Sequence, residues 1–340
     1  MIDARSAEIE TFLRRCGWQD ADMVPLAGDA SSRRYFRLRR GEGPAVLMDA
    51  DPANGESVGR FSQVGRWLLQ KGYSAPRILA EDTTRGFLLM EDLGDALFAR
   101  LVADRPGDEA PLYRAATDFV ADLHRQKPPA FLARADGPAL ADLVALAPQW
   151  YLPGIGFEPS AESDRIAPLI GSLHDGLADI APVVSLRDFH AENLIWLDAR
   201  QGPARVGLLD FQDAFVTHPA YDLASLLQDA RRDVSAQTEA DCLGRYMSGK
   251  GLDQDAFLGA YALIGAQRAL RILGIFARLC LRDGKPRYLE FVPRVWRYLE
   301  QNLHHPALAP LAEAVHSGLP EPTADRLERI AQKCGNFRDH

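Results

Sequence analysis

Cysteine is scarce in this 340-residue sequence: Cys16, Cys242, Cys280 and Cys334 stand far apart, and no C-x-x-C pair occurs. That argues against a zinc site and agrees with reduced thiols in a cytosol. Long blocks of lysine and arginine are also missing. With 39 basic against 47 acidic residues the net charge is −8, so nothing calls for nucleic acid or an anionic membrane, and any anionic ligand must be met locally. The start, MIDARSAEIETFL, has no basic stretch leading into an apolar core, and the most apolar later run is broken by Arg268, Arg271 and Arg278. Neither export nor membrane spanning is expected; a cytoplasmic monomer is. Internal repeats and low-complexity tracts are absent as well. What remains, 47% hydrophobic and 25% charged, is the composition of a soluble globular chain long enough for two lobes.

The first ~90 residues read as mostly sheet with one long helix. Ser6 is placed to cap an opening helix carrying Ile9, Phe12, Leu13 and Cys16, with Gly17 at its end. A small polar loop, Gly28 to Ser32, precedes the strand-like run Arg34 to Arg39, and Ala45 to Met48 reads as its hairpin partner. Phe61, Val64, Trp67 and Leu68 mark a helix ending at Gly72, and Arg77 to Ala80 and Gly86 to Met90 read as further strands. The pattern then turns helical, which places a lobe boundary at 92/93: an N-lobe over 1–92 and a helical C-lobe over 93–340. Residues 128–156 are rich in Pro, Ala and Gly yet hold Trp150 and Tyr151, which suits a lid or pocket wall; aromatics in such segments are more often core packing. Further helices are expected around 221–230, 238–248, 256–281 and 287–303.

Chemistry concentrates between Ser185 and Asp222. Asp188 is followed by Asn193, a short apolar strand from Leu194, and a second apolar run from Val206 that delivers Asp210. A carboxylate able to accept a hydroxyl proton, an amide oxygen and a second carboxylate brought in by a hairpin are the parts that Mg²⁺-assisted phosphoryl transfer requires. Asp188 alone would read as a turn or cap aspartate; the three together in this strand context form a strong signal.

Leu186-Arg187-Asp188 through Asn193 resembles the catalytic loop of the aminoglycoside phosphotransferase and protein-kinase-like superfamily. Asp210-Phe211-Gln212 resembles its metal-binding segment, and His218 to Ala224 its downstream P-x-x-D-L-A element. The resemblance implies an α+β, bilobal kinase-like fold using ATP and Mg²⁺. Asp188 would be the catalytic base, Asn193 and Asp210 the metal ligands, and Arg187 and Asp222 structural supports of the loop; Asp222 reads equally well as an N-cap. Asp29 to Arg37, Met90 to Gly94 and Leu227 to Asp233 narrow the likeness to bacterial kinases that phosphorylate N-acetylmuramate and N-acetylglucosamine at C1 in cell-wall recycling. The expected partners are therefore a small amino sugar and a nucleotide.

Two departures stand out. Leu186 occupies a position where the family usually has His, and Met48 stands where a strand Lys would reach the nucleotide phosphates. Ser31, Ser32, Arg33, Arg34 and the backbone of the Gly28–Ser32 loop are the candidates to meet that charge, as such loops cradle phosphate through N–H groups; two solvated arginines beside a turn is an equal alternative. Met90, Glu91 and Leu93 resemble the hinge that meets adenine. Acceptor candidates are His190 and Glu192 on the loop, Gln212 and Asp213 after the metal ligand, and Gln267, Arg268 and Arg271 on the long helix, where an Arg would suit a carboxylate. Two other readings stay open: the same fold acting on an aminoglycoside or choline-like alcohol, and a nucleotide-binding pseudokinase scaffold, which Met48 invites.

Overall fold

The computed structural model describes residues 4–26, 33–41, 43–55, 57–177 and 180–336. They form two compact units, Met1–Asp108 with Ala191–Ala214, and Glu109–His190 with Phe215–His340.

The first unit is built on a five-stranded antiparallel sheet: β1 (Asp22–Leu26), β2 (Arg34–Arg39), β3 (Ala45–Asp49), β4 (Ile78–Asp82) and β5 (Phe87–Glu91), in the order β1-β2-β3-β5-β4. The inner strands β3 and β5 are apolar on both faces, as a doubly covered strand must be. Ala45, Leu47, Phe87 and Leu89 share a core with Ile9, Phe12 and Leu13 of the opening helix Ala4–Arg15 and with Trp18 and Leu38. Ser6 lies inside that helix, which is in progress by Ala4, so it is not the cap its position suggests. The strand β1 has no clear sequence signal; it is an exposed edge containing Pro25, a place where a missing N–H is tolerated. A second helix, Gly59–Gln70, buries Phe61, Val64, Trp67 and Leu68.

The hairpin foreseen from Leu194 and Val206 forms, pairing Leu194–Trp196 with Val206–Leu208 in antiparallel register. It belongs to the first unit, where Leu208 N–H donates to Ser74 O at 2.9 Å and Trp196 N–H to Ala96 O at 2.8 Å. These bonds occupy the hairpin edges with backbone partners and fix where its ends point.

The second unit is mostly helical and centres on the helix Gln254–Leu281, capped by Asp253, whose carboxylate accepts from Ala256 N–H at 2.8 Å. By length and composition this helix could cross a membrane, but 89% of its most apolar window is buried inside the protein, the setting of a core helix. Segment 128–156, expected as a lid or pocket wall, packs against the long helix. It holds the helix Gly137–Val144 and a wide turn Ala147–Tyr151, and it lies so close to the long helix that a Cβ at Gly274 would collide with the Leu146 backbone. Trp150 and Tyr151 are buried, and Tyr151 Oη donates to Pro320 O at 2.6 Å. The final expected helix begins later, at Val292, after a 3₁₀ turn over Pro286–Phe291.

Candidate active site

Asp188 sits in the second unit on the loop after the strand Val183–Ser185, which pairs with Phe215–Thr217. The residue before it, Arg187, has φ of +72°, a left-handed backbone that costs a non-glycine residue roughly 1–2 kcal/mol. Hydrogen bonds on both sides hold it there. Its N–H donates to Asp222 Oδ1 and to Ser185 Oγ, each at 3.1 Å. Its carbonyl accepts from Arg268 Nη1 at 2.9 Å and from Ser225 Oγ at 3.1 Å. Asp222 is fully buried and also accepts Leu186 N–H at 2.8 Å and Ser185 Oγ–H at 2.6 Å. Burial pushes its carboxyl up to about 6, against the lowering effect of those donors and of Arg268.

Arg268 and Arg271 thus turn toward the loop from the long helix. Arg268 also donates to Ser225 Oγ at 2.8 Å and lies 4.8 Å over the Tyr221 ring, while Arg271 donates to Tyr221 Oη at 3.3 Å. Burial would raise the Asp188 carboxyl, but Arg271 and Arg268, with His190 and Arg187, outweigh it and lower it below the usual aspartate value. A carboxylate held ionised is what a hydroxyl-accepting base requires. His190 is buried, which lowers its basicity, and Arg231 Nη1 lies 3.3 Å from its Nε2; that donor assigns the neutral ring's proton to Nδ1. Gln267 is turned elsewhere, donating to Leu140 O at 3.1 Å from a fully buried position.

Asn193 and Asp210 belong to the first unit, side by side at the open end of the hairpin, where Leu209 N–H donates to Asn193 O at 2.9 Å. Asp210 also has positive φ, +52°, and its half-exposed carboxylate accepts Gln212 Nε2–H at 2.8 Å. Gln212 is in turn held by Arg60, whose Nε and Nη2 donate to Gln212 O and Ala214 O, both at 3.1 Å. Phe211 stacks on Phe61 with centroids 4.5 Å apart. Gln212 therefore supports Asp210 directly. Glu192 and Asp213 are exposed on either side of this hairpin. An acidic oxygen and an amide oxygen are hard donors suited to Mg²⁺, which takes few protein ligands and keeps the rest for water and phosphate.

Ser31 and Ser32 lie outside the described residues. Arg33, just before β2, and Arg34, its first residue, diverge. Arg33 places Nη1 3.6 Å from Asp210 Oδ1. Arg34 instead donates through Nε to Asp49 Oδ2 at 2.9 Å, and Arg5 donates to Asp49 Oδ1 at 2.9 Å, so the buried Asp49 binds two cations. Sequence reading missed Arg5, Asp49, Arg60, Ser185 and Ser225, because each gains its meaning from a partner at least 35 positions away or from a loop carbonyl. Met48, in place of the absent Lys, is fully buried. Met90 is buried in β5, and the Glu91 N–H donates to Arg77 O at 2.8 Å while its carboxylate pairs with Arg77 and Arg200. Leu93 follows in the loop after β5.

The profile of the phosphotransferase enzyme family matches residues 22–258. The chain is 43% identical to an N-acetylmuramate/N-acetylglucosamine kinase from Caulobacter vibrioides over 90% of this chain and 94% of that one. It is 35% identical to a protein of the same name from Pseudomonas aeruginosa over 94% and 98%. Among solved structures, a choline/ethanolamine kinase family protein from Mesorhizobium loti superposes with TM-score 0.61 at 18% identity, covering 93% of this chain and 98% of that one. An aminoglycoside phosphotransferase from Streptomyces rimosus gives 0.55 at 20% identity, covering 80% and 99%. These likenesses show the kinase-like fold, and the chain, a nucleotide-using phosphotransferase, belongs to the phosphotransferase enzyme family.

Proposed function

We propose that this protein transfers the γ-phosphoryl group of ATP to the anomeric hydroxyl of N-acetylmuramate and N-acetylglucosamine, in the cytoplasm and as a monomer. The observation that carries the acceptor is the 43% identity to an N-acetylmuramate/N-acetylglucosamine kinase across nearly the whole of both chains. Support for the reaction class comes from the Asp188 carboxylate, kept ionised by Arg271 and Arg268 on a loop pinned by Asp222.

Asp188 orients the sugar hydroxyl and accepts its proton as the bond to phosphorus forms. Asn193 and Asp210 hold Mg²⁺, which when bound neutralises charge on the nucleotide phosphates. Gln212 fixes the Asp210 rotamer for that task. With Met48 in the strand, Arg33 is the cation we assign to the phosphates, together with Ser31 and Ser32, and Glu91 and Leu93 meet the adenine through their backbone with Met90 behind. The functional division into a nucleotide lobe over 1–92 and an acceptor lobe over 93–340 is part of this reading. Arg268 and Arg187 act here as positioning residues.

The test is coupled ADP release with MgATP and a panel of N-acetylmuramate, N-acetylglucosamine, N-acetylgalactosamine, glucose, choline and kanamycin. Turnover on the first two well above the rest is the expected outcome. Turnover confined to choline or kanamycin would replace the acceptor, and nucleotide binding without turnover on any of the six would favour a scaffold.

A further inference from the structure

The turn between the helices Ala220–Leu227 and Ala236–Lys250 carries Asp229, Arg231, Arg232 and Asp233. Its outward charge is fully matched: Asp233 accepts from Arg294 Nε and Nη2, both at 3.0 Å, and from Arg297, while Arg294 Nη1 donates to Ala230 O at 3.2 Å. Atoms of Asp229 and Arg232 are not. Asp229 is 2% exposed, and its Oδ1 accepts Arg231 N–H at 2.9 Å, but Oδ2 has no hydrogen-bond partner among the described residues. The buried Nε and Nη1 of Arg232 likewise have none, and the same holds for the hydroxyl of fully buried Tyr113, over whose ring Arg232 lies at 5.9 Å.

Such a group is expensive. A buried, unpaired hydrogen-bonding atom costs stability, more so when it belongs to a charged side chain, and native proteins leave very few. Asp229 and Arg232 have opposite charge and sit three positions apart, yet they do not pair with each other. The turn also reaches the loop of Asp188: Arg231 meets His190, two residues beyond Asp188, at 3.3 Å. Unmatched acceptor and donor atoms beside the reacting loop are what a binding pocket for a polar substrate contains, since such groups fix orientation there.

We infer that Asp229 and Arg232, with the Tyr113 hydroxyl, form the acceptor subsite that selects the sugar. Asp229 Oδ2 accepts ring hydroxyls, and the Arg232 guanidinium donates to an acyl or carboxylate oxygen carried by the sugar. Two substituents offer that oxygen, the acetamido carbonyl shared by both amino sugars and the lactyl carboxylate of muramate. The inference rests on the sugar-kinase reading above.

The experiment compares wild type with Asp229→Asn, Arg232→Met and Arg232→Lys for KM and kcat on N-acetylglucosamine and N-acetylmuramate, with ATP affinity and melting temperature measured alongside. Loss of a hydrogen bond to a charged group corresponds to roughly a 10- to 100-fold rise in sugar KM, with ATP affinity unchanged and partial recovery in Arg232→Lys. An equal rise for both sugars in Arg232→Met supports the acetamido carbonyl as its partner; a rise for muramate alone supports the lactyl carboxylate. Sugar KM within twofold of wild type in both Asp229→Asn and Arg232→Met overturns the subsite while leaving the kinase reading intact. A parallel loss of ATP affinity and sugar affinity overturns it too, because a merely structural turn behaves that way. Silence of the wild type on both sugars removes the reading on which the subsite rests.

Discussion

Arg187 and Asp210 are the two non-glycine residues with positive φ among the described residues, and they flank the loop and hairpin that carry the proposed chemistry. At Arg187 the compensation is visible as four hydrogen bonds to one residue's N–H and C=O. Asp188→Asn keeps that framework but removes the proton acceptor, so turnover should fall about 10²–10⁴-fold with ATP affinity retained, by steady-state rates and nucleotide titration. Asp222→Ala strands three donors in a buried site and should lower stability by about 3 kcal/mol, read by urea unfolding. The pH dependence follows from the same carboxyl. As pH falls through about 6, Asp222 takes a proton and loses acceptor capacity for the loop, so kcat should fall with it. The fold responds in the opposite sense. Because burial raises this carboxyl above its unfolded value, its contribution to stability is fully present below the ordinary aspartate range and is lost as pH rises through about 6. A kcat profile still flat at pH 5 would contradict this assignment.

At the scale of elements, strand β3 and the long helix divide the work that residue types alone left ambiguous. In β3 the alternation buries Met48 and presents Asp49 to Arg5 and Arg34, so the half-exposed Arg34 pairs with the buried Asp49 and Arg33 is the arginine facing Asp210. Arg33→Ala should therefore raise KM for ATP about tenfold by removing a charged contact to phosphate. Arg34→Ala should act mainly on melting temperature, costing about 2 kcal/mol at Asp49. The long helix sends Arg268 to the Arg187 carbonyl, so Arg268→Met should lower kcat while sugar KM changes little. The sequence alone placed Arg268 and Arg271 on one helical stripe but could not say what faced it, because periodicity reports a face and not its partner. The motif residues were legible for the converse reason. Asn193 and Asp210 close one hairpin, whose register dictates neighbours, and Asp188 stands five positions before Asn193 in the sequence. The edge strand β1 escaped notice since its exposed positions and Pro25 give no alternation, and Ser6 misled because a good capping residue also fits a first turn.

For the whole molecule, the change from a strand-rich to a helical part was readable from the switch between patterns, the kinase-like architecture was implied by the motif resemblance, and the family match over residues 22–258 agrees with it. What the chain as a whole could not declare in sequence was which polar groups would remain unmatched after folding. Asp233 and Asp229 lie in the same turn, yet one is paired with two arginines and the other keeps a buried oxygen without a hydrogen-bond partner among the described residues. The central claim is that this kinase-like chain phosphorylates the anomeric position of an N-acetylated amino sugar. The most direct measurement is ¹H–³¹P correlated NMR of the product formed from MgATP with N-acetylglucosamine and N-acetylmuramate. The account predicts a phosphorus signal coupled to the anomeric proton for both sugars; phosphorus coupled to the C6 protons, or no sugar phosphate at all, would contradict it.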